Sequence, residues 1–169
     1  FRTRVAAHCM GDVRRLVDTL ESGQIPWCMI GGLAVNHWAK EPLVTRDVDI
    51  VIAAERLDDA VAALTAAGFT AERHEWSINL QGTGDVTVQI TIEAEYADFP
   101  KRALPADVHG ILMRVASLED TLTGKVRAWS DPERRASKRQ KDLLDITRLV
   151  EAHPTLWPRL PVALQPHVP

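Results

Sequence analysis

The chain has 169 residues, 46% hydrophobic and 25% charged, with 20 Lys and Arg against 23 Asp and Glu for a net charge of −3. That length buries enough apolar surface for a single core, or two very small ones, without a metal or disulfide staple. Near-balanced charge excludes both a strongly basic coat for non-specific nucleic-acid binding and an acidic disordered tail. No stretch of about 18 apolar residues marks a membrane span, and no charged-then-apolar leader opens the chain. Cys9 and Cys28 show neither CxxC nor zinc spacing, so two unpaired thiols in a reducing cytoplasm are expected.

In chain order, Val13, Leu16, Val17 and Leu20 share one helical face over Asp12 to Ser22, and Gly23 ends it. Pro26 to Ile30 is a short apolar run that reads as a buried strand entering a tight turn at Gly31-Gly32. Leu33 to Lys40 predicts a short helix that breaks before Pro42. Val48 to Ala53 is a second buried strand, and Glu55 to Ala67 is helical, with Gly68 where a left-handed residue is wanted. Trp76 to Leu80 and Val86 to Ile92 alternate around a turn at Gly82 to Asp85, as in a hairpin. Ile111 to Ala116 reads as one more strand. A capping box of Ser117 and Asp120 starts a helix that runs to about Trp129. Ser137 to Ala152 forms a second long helix, and the proline-rich tail from Pro154 is expected to be extended, wrapping or frayed. The order predicts an α+β fold: a mixed β-sheet with flanking helices, then a C-terminal helical hairpin. Residues 1–116 would form the sheet region, 117–153 a helical region packed on it, and 154–169 the tail.

The chemistry concentrates in two short stretches. Gly31-Gly32 at a strand–helix turn lets backbone N–H groups approach a phosphate, because no Cβ stands in the way. Asp47 and Asp49 are two apart on a strand, so both side chains leave one face. Side-by-side carboxylates repel unless a cation sits between them, and Val48, Ile50, Val51 and Ile52 mark a buried strand where unpaired charge is costly. Magnesium suits such a pair, since it takes hard oxygen ligands and keeps positions for phosphate oxygens and water.

Gly31-Gly32-Leu33-Ala34, Thr45-Arg46-Asp47-Val48-Asp49 and the later Lys141-Asp142 helix resemble the minimal nucleotidyltransferases of the polymerase-β-like superfamily, and among them the AbiEii-type toxin nucleotidyltransferases. The resemblance runs from about Trp27 to Val150. It implies a palm-like mixed sheet in which Gly31 and Gly32 line the triphosphate, with Arg46 at the nucleotide. It further implies that Asp47 and Asp49 hold Mg2+ (or Mn2+), that Lys125 contacts the nucleotide phosphates, and that Asp142 fills the acidic position of the last motif. Leu143, Ile146, Leu149 and Val150 read as the buried stripe of that last helix, with Asp142 at its margin and Asp145 turned further toward solvent. Without the family, Lys125 reads as a solvated helix lysine and Asp142 as a partner of Lys138 or Arg139.

One position departs from the pattern. A third carboxylate usually sits on a neighbouring strand, and the natural place for it here holds Gln89, which cannot accept a proton. Glu93 shares its parity but stands roughly 13 Å along by strand rise, and Asp85 has the same problem in the other direction. Losing a general base costs on the order of 10²–10⁴ in rate, while metal-assisted positioning persists.

Trp38, next to His37, either packs under the Gly-Gly loop or borders a base, and the remaining histidines share no spacing. Residues 125–141 carry seven positive and two negative groups, against 13 and 21 in the rest of the chain. That stretch is either a solvated basic face or a wall that meets triphosphate or RNA phosphates. The sequence therefore predicts a Mg-dependent, cytoplasmic nucleotidyltransferase that moves NMP from an NTP to a hydroxyl acceptor. The acceptor is tRNA, protein or an aminoglycoside-like small molecule, and a cognate antitoxin is a further partner. The alternative is a catalytically weakened nucleotide-binding or interaction protein.

Overall fold

A computed structural model describes residues 2–41, 47–108 and 110–169. A seven-stranded sheet runs in the order β3-β4-β5-β2-β1-β7-β6. Its centre is β1 (Trp27–Ile30), antiparallel to β2 (Asp47–Ile52) and parallel to β7 (Ile111–Val115). Beyond β2 comes β5 (Thr87–Thr91), parallel to it, then β4 (Ser77–Gln81) and the edge strand β3 (Thr70–Arg73), both antiparallel. β6 (Leu104–Val108) forms the other edge. The mixed sheet matches the α+β expectation. Both edge strands escaped the sequence reading, because β3 is exposed at every position and β6 buries only two of five, so neither alternates clearly.

Pleating separates two faces. Trp27, Met29, Val48, Ile50, Ile78, Leu80, Val88 and Ile90 point into the main core, against α1 (Arg2–Ser22) and α3 (Leu57–Ala66). The apolar pattern placed the start of α1 at Asp12, yet the helix begins ten residues earlier and Asp12 lies inside it. Its buried carboxylate accepts from the N–H groups of Thr83 and Gly84 and pairs with Arg15, pinning the β4–β5 turn.

On the opposite face, α2 (Gly31–Trp38) and α4 (Phe99–Arg102) lie over β1 and β2, and α5 (Leu118–Ser130) packs on α2. Ser117 Oγ accepts from Asp120 N–H as the capping sequence foretold. α6 (Ala136–Ala152) packs on α5 and α2 as the expected hairpin. A second core gathers Val35 of α2, Leu122 of α5, and Ile146 and Leu149 of α6 with Leu156, Leu160, Leu164 and Val168. The tail after Pro154 thus wraps in short 3₁₀ turns and is neither extended nor frayed. Among the described residues, no helix is long and apolar enough to cross a membrane.

Candidate active site

β1 runs straight into α2, so the two glycines are the first residues of the helix and not a separate loop. Gly31 has φ +66, and a Cβ there would stand 2.5 Å from Asp49 Oδ2. Two independent constraints therefore demand glycine. Gly32 has open space around it, so its lack of a side chain leaves the helix start accessible. Among the described residues no side chain caps α2, whose first N–H groups carry the positive end of the helix dipole.

Asp47 and Asp49 leave the same face of β2, as their spacing predicts, with Asp47 exposed and Asp49 half-buried. Burial above all pushes the Asp49 carboxyl up from its ordinary range, and Asp47 adds to this, while Lys125, Arg134 and Lys141 oppose it. A cleft of about 170 Å³ lies over Asp49, lined by Gly31, Gln89, Thr121, Lys125, Arg134 and Asp142 among others. Arg46 lies outside the described residues.

Across the cleft stands a chain of alternating charge. Arg134 grips Asp142 with two bonds, from Nε to Oδ2 at 2.8 Å and from an Nη to Oδ1 at 3.1 Å. Lys125 Nζ is 3.3 Å from Asp142 Oδ1 and 2.9 Å from Asp145 Oδ2. Arg148 then joins Asp145 to the side-chain oxygen of Asn36 on α2. Lys125 is thus no solvated lysine, and Asp142 pairs with neither Lys138 nor Arg139.

Asp145 corrects the sequence reading: it is 3% exposed and faces inward, not solvent. The buried stripe of α6 is Asp142, Asp145, Ile146, Leu149 and Val150, with Leu143 only half-buried. Positions three and four apart share a helix face, so the signal was present. It was masked because a carboxylate is almost never fully buried unless it is paired, and the local sequence does not show the pairing. Arg134 was counted only within the basic stretch, and nothing local marks it, because it sits in the turn between two helices.

Only part of that stretch faces the cleft. Arg127 turns away to Glu95, and Arg139 donates to the Asp131 carbonyl. Trp38 resolves to the packing alternative, with its indole N–H donating to the Ala116 carbonyl at 2.9 Å. Cys28 is a buried, free thiol, pushed up to about 12 by burial and so unreactive.

Register shows which side chain neighbours the acid pair. Asp49 pairs with Gln89 across the parallel β2–β5 ladder, so the glutamine is the side chain beside the acid pair. Asp85 precedes β5 and Glu93 follows it, so neither reaches that rung. Among the described residues no group of three or more His, Cys, Asp or Glu side chains gathers for a metal. Two carboxylates and a neutral amide oxygen still fit a hard dication that keeps waters and phosphate oxygens. The buried Asp49 carboxyl points the same way, since Lys125, Arg134 and Lys141 offset the effect of burial only in part and a bound cation would add to them.

The profile of one family, described as "Nucleotidyl transferase AbiEii toxin, Type IV TA system", matches residues 15–163. The chain belongs to the AbiEii nucleotidyltransferase family. Solved structures share this nucleotidyltransferase fold at low sequence identity. The ANT(2")-Ia structure in complex with adenylyl-2"-tobramycin superposes with TM-score 0.62 at 16% identity, covering 89% of each chain. The nucleotidyltransferase-like protein of Paracoccidioides brasiliensis gives 0.59 at 20% identity, covering 96% of this chain and 86% of that one. The lincomycin-bound lincosamide adenylyltransferase LnuA gives 0.58 at 14%, covering 84% and 96%. No protein of curated function matches the sequence.

Proposed function

We propose that this AbiEii-family protein transfers NMP from a Mg-bound NTP to a hydroxyl acceptor. The observation that carries this is the juxtaposition of the Asp47–Asp49 strand with Lys125 and Arg134 across one cleft. Asp47 and Asp49 would hold Mg2+ (or Mn2+), which would neutralise charge on the α-phosphate region. Gly31 and Gly32 admit the phosphates to the start of α2. Lys125 and Arg134 face the charge that builds on the leaving group. Asp142, with both oxygens engaged, holds those two cations in place and is not free to ligate.

In the reaction the acceptor oxygen bonds to the α-phosphorus. The bond from that phosphorus to the bridging oxygen breaks, and pyrophosphate leaves with the electron pair. The hydroxyl proton passes to solvent, because Gln89 cannot accept it. RNA, protein and small-molecule acceptors all satisfy this chemistry. The family description supports a toxin that is paired with a cognate antitoxin, while the tobramycin and lincomycin neighbours support a small-molecule acceptor.

Gln89 beside Asp49 specifically favours a second reading: a nucleotide-binding protein with weakened catalysis. Isothermal titration with each NTP and Mg2+, repeated on Asp47→Ala/Asp49→Ala, tests the site. Binding that the double variant abolishes is expected, and a wild type that binds no NTP refutes both readings. Transfer of labelled NMP then separates enzyme from binding protein.

A further inference from the structure

The sheet face that carries Asp47 and Asp49 does not end at the cleft. Register extends it as two polar rungs: Asp47, Thr87, Gln81 and Thr70, then Asp49, Gln89, Asn79 and Glu72. Thr91 and Ser77 begin a third. Every one of these side chains is half-buried or exposed, while the alternate residues Ile78, Leu80, Val88 and Ile90 are buried behind them. A polar face on three neighbouring strands, beginning at the acid pair, is thus left open among the described residues. Strands lie about 4.8 Å apart, so it reaches roughly 14 Å from Asp49 to Glu72.

Displacement geometry assigns this face a role. Attacking and leaving oxygens stand roughly in line about the transferred phosphorus. The start of α2, Lys125 and Arg134 line one cleft with Asp49 and Gln89, which assigns the leaving group to that cleft. The attacking hydroxyl is then left the polar rungs that continue from Gln89 onto β4 and β3. The rungs there offer amides, hydroxyls and the carboxylate of Glu72, with no Lys or Arg at any of these positions. A polyphosphate chain bound on this surface would find no counter-charge, whereas RNA-binding surfaces gain much of their affinity from phosphate neutralisation.

We propose that the β5–β4–β3 face is the acceptor site, and that it takes an amine-bearing polyhydroxyl small molecule. This rests on the transferase reading and names its acceptor class. The amides of Gln89 and Asn79 bond acceptor hydroxyls beside Asp49, and Glu72 receives an ammonium group at the far end.

The test is calorimetry on the full chain loaded with Mg2+ and the α,β-methylene analogue of the NTP it binds. Glucosamine, kanamycin and further aminoglycosides serve as probes, with bulk tRNA as the polyanionic alternative. The expected result is that at least one amine-bearing polyol binds. Asn79→Lys and, on the exposed edge, Glu72→Lys should each weaken it about tenfold or more, equivalent to about 1.4 kcal/mol. The nucleotide isotherm of each variant reports that it is folded. Failure of every polyol to bind overturns the proposal, as does polyol binding that neither lysine weakens. Salt-dependent tRNA binding that the lysines strengthen also overturns it, in favour of RNA. A wild type that binds no nucleotide refutes the transferase reading and this inference with it.

Discussion

Adjacent glycines that look alike in sequence should behave oppositely when replaced. Gly31→Ala forces an alanine to φ +66, a left-handed conformation that costs an L-residue about 1–2 kcal/mol. The new methyl would also lie 2.5 Å from Asp49 Oδ2 and 3.2 Å from its Cβ and Cγ, on a strand that cannot retreat because β1 and β5 pair both its edges. Overpacking of that kind adds about 1–3 kcal/mol. A combined loss of about 3 kcal/mol lowers Tm by roughly 6–12 °C in a domain of this size. Gly32→Ala meets nothing within 4 Å and keeps an ordinary φ. Alanine there gains up to about 1 kcal/mol of helix propensity, so Tm should hold or rise. Thermal unfolding by circular dichroism reads both, and titration with MgATP should show weakened binding in Gly32→Ala despite its intact fold. If the two variants melt together, the claim that the Gly31–Asp49 contact fixes the site geometry is wrong.

Asp142→Asn leaves Lys125 and Arg134 short of their shared counter-charge, and removing one member of such a buried group costs about 3–5 kcal/mol by urea unfolding. Leu164→Ala, in a tail position that is fully buried, should cost about 2–5 kcal/mol, whereas a frayed tail would lose nothing. The raised carboxyl of Asp49 fixes the sign of a pH effect. Its folded state holds the proton above the ordinary value of 3.8, so ionisation penalises the fold progressively as pH rises past that value. Metal-free Asp49→Asn should therefore melt higher than wild type at pH 7. That gap should close below pH 3.8, and millimolar Mg2+ should shrink or reverse it.

Much of this site was legible in one dimension because its signals are local. Two glycines after an apolar run, and two aspartates two apart in another, depend only on the strand and helix periods. Those periods hold wherever the elements pack, and Gln89 could be placed by parity alone. The charged chain through α6 was less legible. The helical period does put Asp142 and Asp145 on the face of Ile146 and Leu149, but only Lys125 of α5, Arg134 of the α5–α6 turn and Arg148, itself held by Asn36 of α2, make burial of those carboxylates tolerable. Those partners lie 17 and 20 residues away for Lys125, and 112 between Arg148 and Asn36. The edge strands were hidden for a related reason, since an edge strand gains its partner from the fold without burying an alternating face.

By itself, then, the sequence determined the composition of the candidate site: two glycines at a helix start, a carboxylate pair on one strand, and an amide beside it. Tertiary structure decided which charges those groups meet. It turned Asp145 inward, drew Arg134 into the cleft and, among the described residues, left the β5–β4–β3 face open beside Asp49. Side-chain parity follows from backbone geometry within one element, whereas the burial and pairing of a charge depend on elements brought together from across the chain.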